Sequence, residues 1–299
     1  MYDIIVVGAG PAGLTAALYA RRANKTVLVF EAKSYGGQIV NASLVENYPG
    51  FDSISGFDLA TNMYNQVIDL GAEVKFEMVK KITEDKKVIT DNGTYEAKAI
   101  ILATGAENRR LNLPNEVDYI GKVVSYCATC DGNFYKNKTV AVVGGGNTAL
   151  EDAIYLADIC DKVYLIHRRD SFRGEDKYLE QIKVSDKIEF ILNSNVTALN
   201  GDDLLESIEV KDNDGNTRTL EVSGLFIAVG QQPKNELFAD IIELTEKGYI
   251  ATSDGVHTNV DGIYVAGDTR DKELKQLTTA VSDGSIATTV AIKEMKQNG

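Results

Sequence analysis

Two glycine-rich turns of the same grammar, Gly8-Ala9-Gly10-Pro11-Ala12-Gly13 and Gly144-Gly145-Gly146-Asn147-Thr148-Ala149, constrain this chain more than any other feature. The first follows a β-rich apolar run at residues 2–7, and Leu14 to Ala23 then carries a helical pattern. Thr26 to Phe30 is the next β run, and it ends at Glu31. The second turn repeats this order, with Thr139 to Val143 as strand, Leu150 to Ile159 as helix and Lys162 to Ile166 as the following strand. Each stretch is a complete βαβ unit. Its glycines permit a tight turn and close backbone approach, and the helix that follows presents its positive end to a pyrophosphate. Glu31 is placed to accept hydrogen bonds from ribose hydroxyls.

Two further segments, Ile100-Ile101-Leu102-Ala103-Thr104-Gly105 and Leu225-Phe226-Ile227-Ala228-Val229-Gly230, resemble each other as buried strands ending in glycine, one closing each half. After Gly230 the chain returns to the first half, where Gly262 to Gly267 reads as another strand and Asp268 ends it at the sheet's carboxyl edge. The expected fold class is α/β, with two Rossmann-like three-layer domains, the second inserted in the first. Breaks near Pro114 and at Gly230 to Pro233 set the expected domains at 1–114 with 231–299, and 115–230.

A chain of 299 residues that is 44% hydrophobic has material for two cores. Its net charge of −13 is spread without a basic block longer than His167-Arg168-Arg169, so neither nucleic acid nor an anionic membrane is an expected partner. Met1-Tyr2-Asp3 leads directly into the first strand with no signal-peptide pattern, and no apolar run approaches the ~20 residues of a membrane helix. Three cysteines fit a reducing cytoplasm in which a close-spaced pair is catalytic or metal-binding.

That pair is Cys127-Ala128-Thr129-Cys130-Asp131, between the two fingerprints. It can shuttle between dithiol and disulfide with little backbone change, and a neighbouring flavin can pass it two electrons. A structural zinc needs four ligands, and Cys160, His167 and His257 form no second short-spaced pair, so no metal is expected. Asp131 is placed to exchange a proton with a thiolate or reduced flavin, with helix N-capping as its structural alternative. Cys160 reads as a small core residue and His167 as a packing or positioning residue. After the second fingerprint the expected acidic residue is replaced by Arg168, Arg169 and Arg173, guanidinium groups suited to a 2′-phosphate, which favours NADPH over NADH.

The cysteine motif, Gly144 to Ala149, His167 to Arg173, Gly36-Gly37-Gln38 and Glu46-Asn47-Tyr48-Pro49-Gly50 together resemble the bacterial low-molecular-weight thioredoxin reductases over essentially the whole chain. The resemblance implies FAD in the outer domain, held through Gly8, Gly10, Ala12, Gly13, Glu31, Gly37, Gln38, Asn47, Thr104, Gly105, Gly267, Asp268, Lys275, Gln276 and Leu277. It implies NADPH in the inserted domain, on Gly144, Gly146, Asn147, Thr148, Ala149, Arg168, Arg169 and Arg173. Asp268 would bond the ribityl chain, and Gln276 to Leu277 would approach the isoalloxazine ring from a helix start. Cys130 would be the flavin-proximal thiol and Cys127 the one that attacks thioredoxin, in a homodimer whose domains rotate between two states. Asn147 stands where many members carry Asp, and Lys275 where many carry Arg. Competing readings are a relative of the same fold fed by reduced ferredoxin, a ferredoxin-NADP reductase, which needs no cysteine pair, and a non-catalytic nucleotide-binding or zinc-stabilised interaction protein. The missing N-terminal extension leaves a separate carrier protein, thioredoxin or thioredoxin-like, as the expected acceptor.

Overall fold

A computed structural model describes residues 1–42, 44–202 and 204–297. The chain forms two compact units, Met1–Glu107 with Gln232–Gly299, and Asn108–Gln231. The first crossing therefore precedes Pro114. Glu116, 1% exposed, accepts the backbone N–H groups of Leu111 (3.1 Å) and Leu113 (3.0 Å) and the Tyr126 hydroxyl (3.1 Å). Leu111 and Leu113 pack on the second unit's core, so a buried carboxylate and two leucines outweigh the proline as a boundary signal. The inserted segment enters and leaves side by side, with Arg109 N–H donating to Gly230 O at 3.0 Å and Gln231 Nε2 to Asn108 Oδ1 at 2.9 Å.

In the first unit, Glu73–Lys75, Val27–Phe30, Tyr2–Val7 and Thr94–Leu102 lie parallel in that order. Ile263–Val265 pairs parallel with the end of Thr94–Leu102, whose beginning instead pairs antiparallel with Lys87–Thr90 and, beyond it, Val79–Ile82. Alternate strand residues feed opposite faces, which is why the central runs at residues 4–7, 27–30 and 99–102 are apolar and buried on both sides. Ile4, Val6, Val27, Val29 and Ile101 pack beneath the alanine faces of helices Pro11–Arg22 and Leu277–Gln297. Ile5, Val7, Leu28, Phe30, Ile100 and Leu102 pack on the other side with Phe238, Ile242 and Ile250. Each such fully buried Val, Leu, Ile or Phe contributes about 1.5–3 kcal/mol.

The second unit repeats the plan. Its parallel sheet runs Ile188–Ile191, Lys162–Ile166, Thr139–Gly144, Gly224–Ala228, Val124–Ser125. One face packs with residues of helices Asn147–Ile159 and Asp176–Lys183, the other with the antiparallel strands Ser194–Asn200, Ser207–Asp212 and Thr217–Glu221. In both units a fingerprint turn thus ends a central strand at the carboxyl edge, where such sheets bind ligands. Among the described residues no helix is long and apolar enough to cross a membrane.

Candidate active site

Cys127 and Cys130 are joined as a disulfide with Cα atoms 5.3 Å apart. Cys127 caps the helical turn Ala128–Asp131, which continues into the 3-10 turn Gly132–Tyr135. Ala128 is fully buried, and a Cβ at Gly132 would lie 3.1 Å from both Leu156 and Tyr155, so the turn is seated on helix Asn147–Ile159. Both cysteines are half-buried, and the Thr129 hydroxyl lies 3.4 Å from Cys127 Sγ. The Asp131 side chain caps nothing; its Oδ2 accepts from Ser125 Oγ at 2.6 Å. Burial pushes the Asp131 carboxyl above its usual range, and the Ser125 hydrogen bond opposes that without cancelling it. Cys160, by contrast, is fully buried, its Sγ bonded to Tyr135 O at 3.3 Å and its thiol pushed by burial up to about 11, as expected of an inert core cysteine.

The second fingerprint turn rests on an imidazole, because a Cβ at Gly145 would enter the His167 ring. His167, 6% exposed, bonds Ser171 O through Nε2 (3.1 Å) and stacks on Phe172; burial, with the flanking arginines, holds its pKa below the usual value. The Arg173 N–H donates to Gly145 O at 2.8 Å, which brings the arginine loop beside the fingerprint. Arg168, Arg169 and Arg173 are exposed, with no side-chain hydrogen bond or ion pair among the described residues. Helix Asn147–Ile159 starts after Gly146 with no side-chain cap, and nothing lies within 4 Å of a Cβ built on Gly146. Thr148 is exposed there, and Ala149 is buried, 2.6 Å from where a Gly144 Cβ would stand. Asn147 and Glu175 hold each other reciprocally, Asn147 Nδ2 to Glu175 Oε1 and Glu175 N–H to Asn147 Oδ1, both at 2.8 Å. This open N-terminus with unpaired guanidinium groups fits a nucleotide carrying phosphate.

In the first unit Gly8 has φ +110°, and a Cβ there would strike Ala103 O, while one at Gly13 would strike Gly8 O. Helix Pro11–Arg22 begins after Gly10 with no side-chain cap. A Cβ on Gly37 would lie 3.3 Å from Gly10 Cα, so two bare backbones face each other. Glu31 accepts the N–H groups of Ala9 and Lys33, both at 2.9 Å. Gln38 donates its side-chain amide to Ala106 O, and Asn47 Nδ2 reaches Gln276 Oε1 at 3.4 Å. Thr104 Oγ1 joins Thr269 Oγ1 (2.8 Å) and Asn235 Oδ1 (3.1 Å), and no atom lies within 4 Å of a Cβ built on Gly105. A Cβ on Gly267 would be 2.8 Å from the Ala12 Cβ, which sets the Gly267–Thr269 turn against the first fingerprint.

Asp268 carries the most informative atom of this region. Its buried Oδ1 has no hydrogen-bond partner among the described residues; Lys272 Nζ stands 2.9 Å away as an ion pair but out of line for a hydrogen bond. A buried acceptor left open in this way fits a hydroxyl-bearing ligand such as a dinucleotide's sugar or ribityl chain. Asp283 fixes the turn: it accepts from Gly267 N–H (3.0 Å), from Arg270 through Nε (3.0 Å) and Nη2 (2.9 Å), and from Lys272 (3.0 Å). Burial raises the Asp283 pKa, but these cations overcome it and hold it low. Lys275 lies 4.2 Å over the Tyr249 ring, its pKa drawn down by burial, and Gln276 leads into helix Leu277–Gln297 with its N–H on Thr279 Oγ1 (3.1 Å).

Ser125, Asn235 and Asp283 are the supporting residues that motif reading did not place, whereas His167 packs under the turn as its sequence reading expects. Ser125 had a local signal, a serine two residues before Cys127 in a strand that ends in a turn. Asp283 had another, a carboxylate on the helix face Ala280, Gly284, Ala287, Ala291, which is otherwise small and buried.

Two nucleotide-binding folds and a dithiol turn in one chain define a class of oxidoreductase that passes electrons between a pyridine nucleotide and a disulfide through a flavin. The chain belongs to the pyridine nucleotide-disulphide oxidoreductase family, whose sequence model matches residues 2–284. It is 42% identical to the thioredoxin reductase of Listeria monocytogenes, covering all of this chain and 96% of the relative. It is 43% identical to the thioredoxin reductase of Treponema pallidum, covering 96% and 94%. The crystal structure of thioredoxin reductase from Streptococcus pyogenes superposes with a TM-score of 0.94 at 39% identity, covering 99% of both chains. Among the described residues no group of three or more His, Cys, Asp or Glu side chains is arranged to hold a metal ion.

Proposed function

We infer that this chain is an NADPH-dependent thioredoxin-disulfide reductase that carries FAD. The observation that carries the reading is the Cys127–Cys130 disulfide, held half-buried with the Asp131 carboxyl beside it, in the same unit as a fingerprint rimmed by three unpaired guanidinium groups. Bound FAD supplies a two-electron carrier between the nicotinamide and the disulfide. The residues that fit it are Gly8, Gly10, Gly13, Glu31, Gly37 and Asp268 of the first unit. Gly144 to Ala149 would hold the nucleotide pyrophosphate, and Arg168, Arg169 and Arg173 its 2′-phosphate.

Reducing the disulfide takes two electrons and two protons. A hydride equivalent brings both electrons and one proton, so the second proton comes from Asp131, which recovers it from solvent. Cys130 is assigned to the flavin side and Cys127 to attack on thioredoxin. Both the dithiol and the second fingerprint belong to one unit and the flavin residues to the other, so each has to meet the flavin in turn. A homodimer and a cytoplasmic setting complete the reading, the latter because a reducing compartment returns such dithiols to turnover.

Anaerobic flavin bleaching by NADPH, NADH and reduced ferredoxin, run in parallel with thioredoxin present, tests this. Rapid bleaching by NADPH coupled to thioredoxin reduction is expected, and Cys130→Ser is expected to keep its flavin and the bleaching while losing thioredoxin reduction. Bleaching by ferredoxin alone would transfer the donor role to a protein.

A further inference from the structure

The dithiol turn contains a polar atom that does more than pack. Ser125 is 5% exposed at the end of the edge strand Val124–Ser125. Its Oγ accepts the Cys127 N–H at 3.0 Å and donates to Asp131 Oδ2 at 2.6 Å. The Cys127 carbonyl meanwhile accepts the N–H groups of Cys130 (3.3 Å) and Asp131 (3.1 Å). The Ser125 hydroxyl also lies 3.3 Å from that carbonyl, but its one hydrogen goes to the nearer acceptor, Asp131 Oδ2 at 2.6 Å. A single chain of bonds therefore runs from the Cys127 backbone through Ser125 to the carboxyl group.

We propose that Ser125 is a positioning residue for disulfide reduction, which occupies Asp131 Oδ2 so that the transferable proton resides on Oδ1, and which locks that carboxyl to the Cys127 turn. This rests on the reading of Asp131 as the proton donor. With Oδ2 engaged as an acceptor, protonation and release take place at the other oxygen, and the carboxyl cannot rotate without breaking its bond to the hydroxyl that also holds Cys127. The same bond favours the ionised form against the burial that disfavours it, so Ser125 limits how far burial raises the pH at which Asp131 gives up its proton.

The elements packed on this turn carry other titratable groups. Tyr135, on the following turn, is pushed up to about 12 by burial first and then by Asp131. On helix Asn147–Ile159, Tyr155 reaches the turn at Gly132, and Asp152 is raised to about 7 by burial and by Glu151. Because Asp152 titrates in the working range, an alkaline limb has to be assigned to Asp131 by substitution.

The experiment is the pH profile of kcat for thioredoxin reduction in the holoenzyme and in Ser125→Ala, Ser125→Thr, Asp131→Asn and the Ser125→Ala/Asp131→Asn double variant, with flavin bleaching by NADPH as the control. Ser125→Ala is expected to move the alkaline limb up by about 1 pH unit and to lower kcat at the optimum by about 10-fold. Ser125→Thr restores both, and flavin bleaching by NADPH is unchanged in Ser125→Ala and Ser125→Thr. In the Asp131→Asn background Ser125→Ala should change kcat by less than about 2-fold, since its path runs through the carboxyl. An unmoved limb in Ser125→Ala, or effects of the two substitutions that multiply, overturns the proposal. A limb that survives in Asp131→Asn overturns instead the assignment of Asp131 as the acid. Should Ser125→Ala fail to fold, Ser125→Cys, a weaker donor of similar size, is expected to shift the limb in the same direction, and an unmoved limb there overturns the proposal equally.

Discussion

His257, which no motif claims, stands between two carboxylates: Nδ1 is 2.5 Å from Asp254 Oδ2, and Nε2 is 2.8 Å from Glu294 Oε1, whose other oxygen accepts from Tyr264 at 2.6 Å. The Glu294 bond, then the Asp254 bond, raise the His257 pKa above its usual value, and the His257 backbone and ring hold Asp254 down to about 2. Glu294 is lowered as well, by Tyr264 first and then His257. A raised histidine stabilises the fold fully below its unfolded pKa of about 6.5, and the benefit is lost as pH rises through the folded value. The lowered carboxylates stabilise above their unfolded values and lose that as pH falls, so the cluster works best between about pH 4.5 and 6.5. His257→Gln is expected to cost about 1 kcal/mol at pH 5.5, a figure already discounted for a partly solvated side chain, and near nothing at pH 8.5. Thermal melts at the two pH values check this, and an equal loss at both would mean packing rather than charge. Such a cluster is invisible in sequence because Asp254, His257 and Glu294 meet only when a loop and the far end of a helix are brought together. The fingerprints, by contrast, were legible because their residue types recur at fixed spacing within six residues, even though Gly8 and Gly145 are hemmed in by Ala103 and His167 from elsewhere in the chain. The same distinction separates the cysteine pair, read at once, from Asp283, whose partners Gly267, Arg270 and Lys272 are supplied by a different element.

At the scale of elements, the periodicity that located the two fingerprint helices placed their starts at Leu14 and Leu150, whereas they begin at Pro11 and Asn147. The glycine turns already supply the first helical residues, which carry no apolar signal of their own. The antiparallel strands Val79–Ile82 and Lys87–Thr90 were not legible, being short and held by pairing, Lys87–Thr90 to Thr94–Leu102 and Val79–Ile82 to Lys87–Thr90 in turn. The crossing of Leu277–Gln297 over Pro11–Arg22 illustrates what packing adds. A Cβ on Gly284 would collide with Ala12 O, and Thr288 Oγ1 donates to Ala16 O at 3.1 Å, so the helices meet backbone to backbone. Gly284→Leu should therefore destabilise by about 1–3 kcal/mol or more. Ala12 belongs to the fingerprint, and Asp283 next to Gly284 holds the Gly267 turn, so the same change should lower the flavin-to-protein ratio. Absorbance of the purified variant and its melting midpoint read both effects. A full flavin complement with an unchanged midpoint would show that this crossing does not set the site.

At the scale of the whole molecule, the two units share a plan but none of the buried clusters identified among the described residues. Ile4, Val6 and the alanine helices, like Ile5, Phe30 and Phe238, lie wholly within the first unit; Ala141, Val143 and Ile208, like Val142, Leu156 and Phe226, lie wholly within the second. Insertion of one nucleotide fold into another thus leaves each with its own apolar driving force, so unfolding need not be two-state. A ligand that binds only the folded form of one unit should stabilise that unit alone. At a concentration 1,000 times its Kd the gain is about 4 kcal/mol. Stripping FAD is therefore expected to lower the transition belonging to the first unit by several degrees or more, with the second unchanged. Adding 2′,5′-ADP, which carries the 2′-phosphate chemistry that Arg168, Arg169 and Arg173 are placed to meet, should raise only the second. Calorimetry of holo and apo protein, with and without that ligand, separates the cases. A single transition that follows both ligands would mean that the units unfold together despite separate cores, and that flavin binding is felt energetically in the dithiol unit.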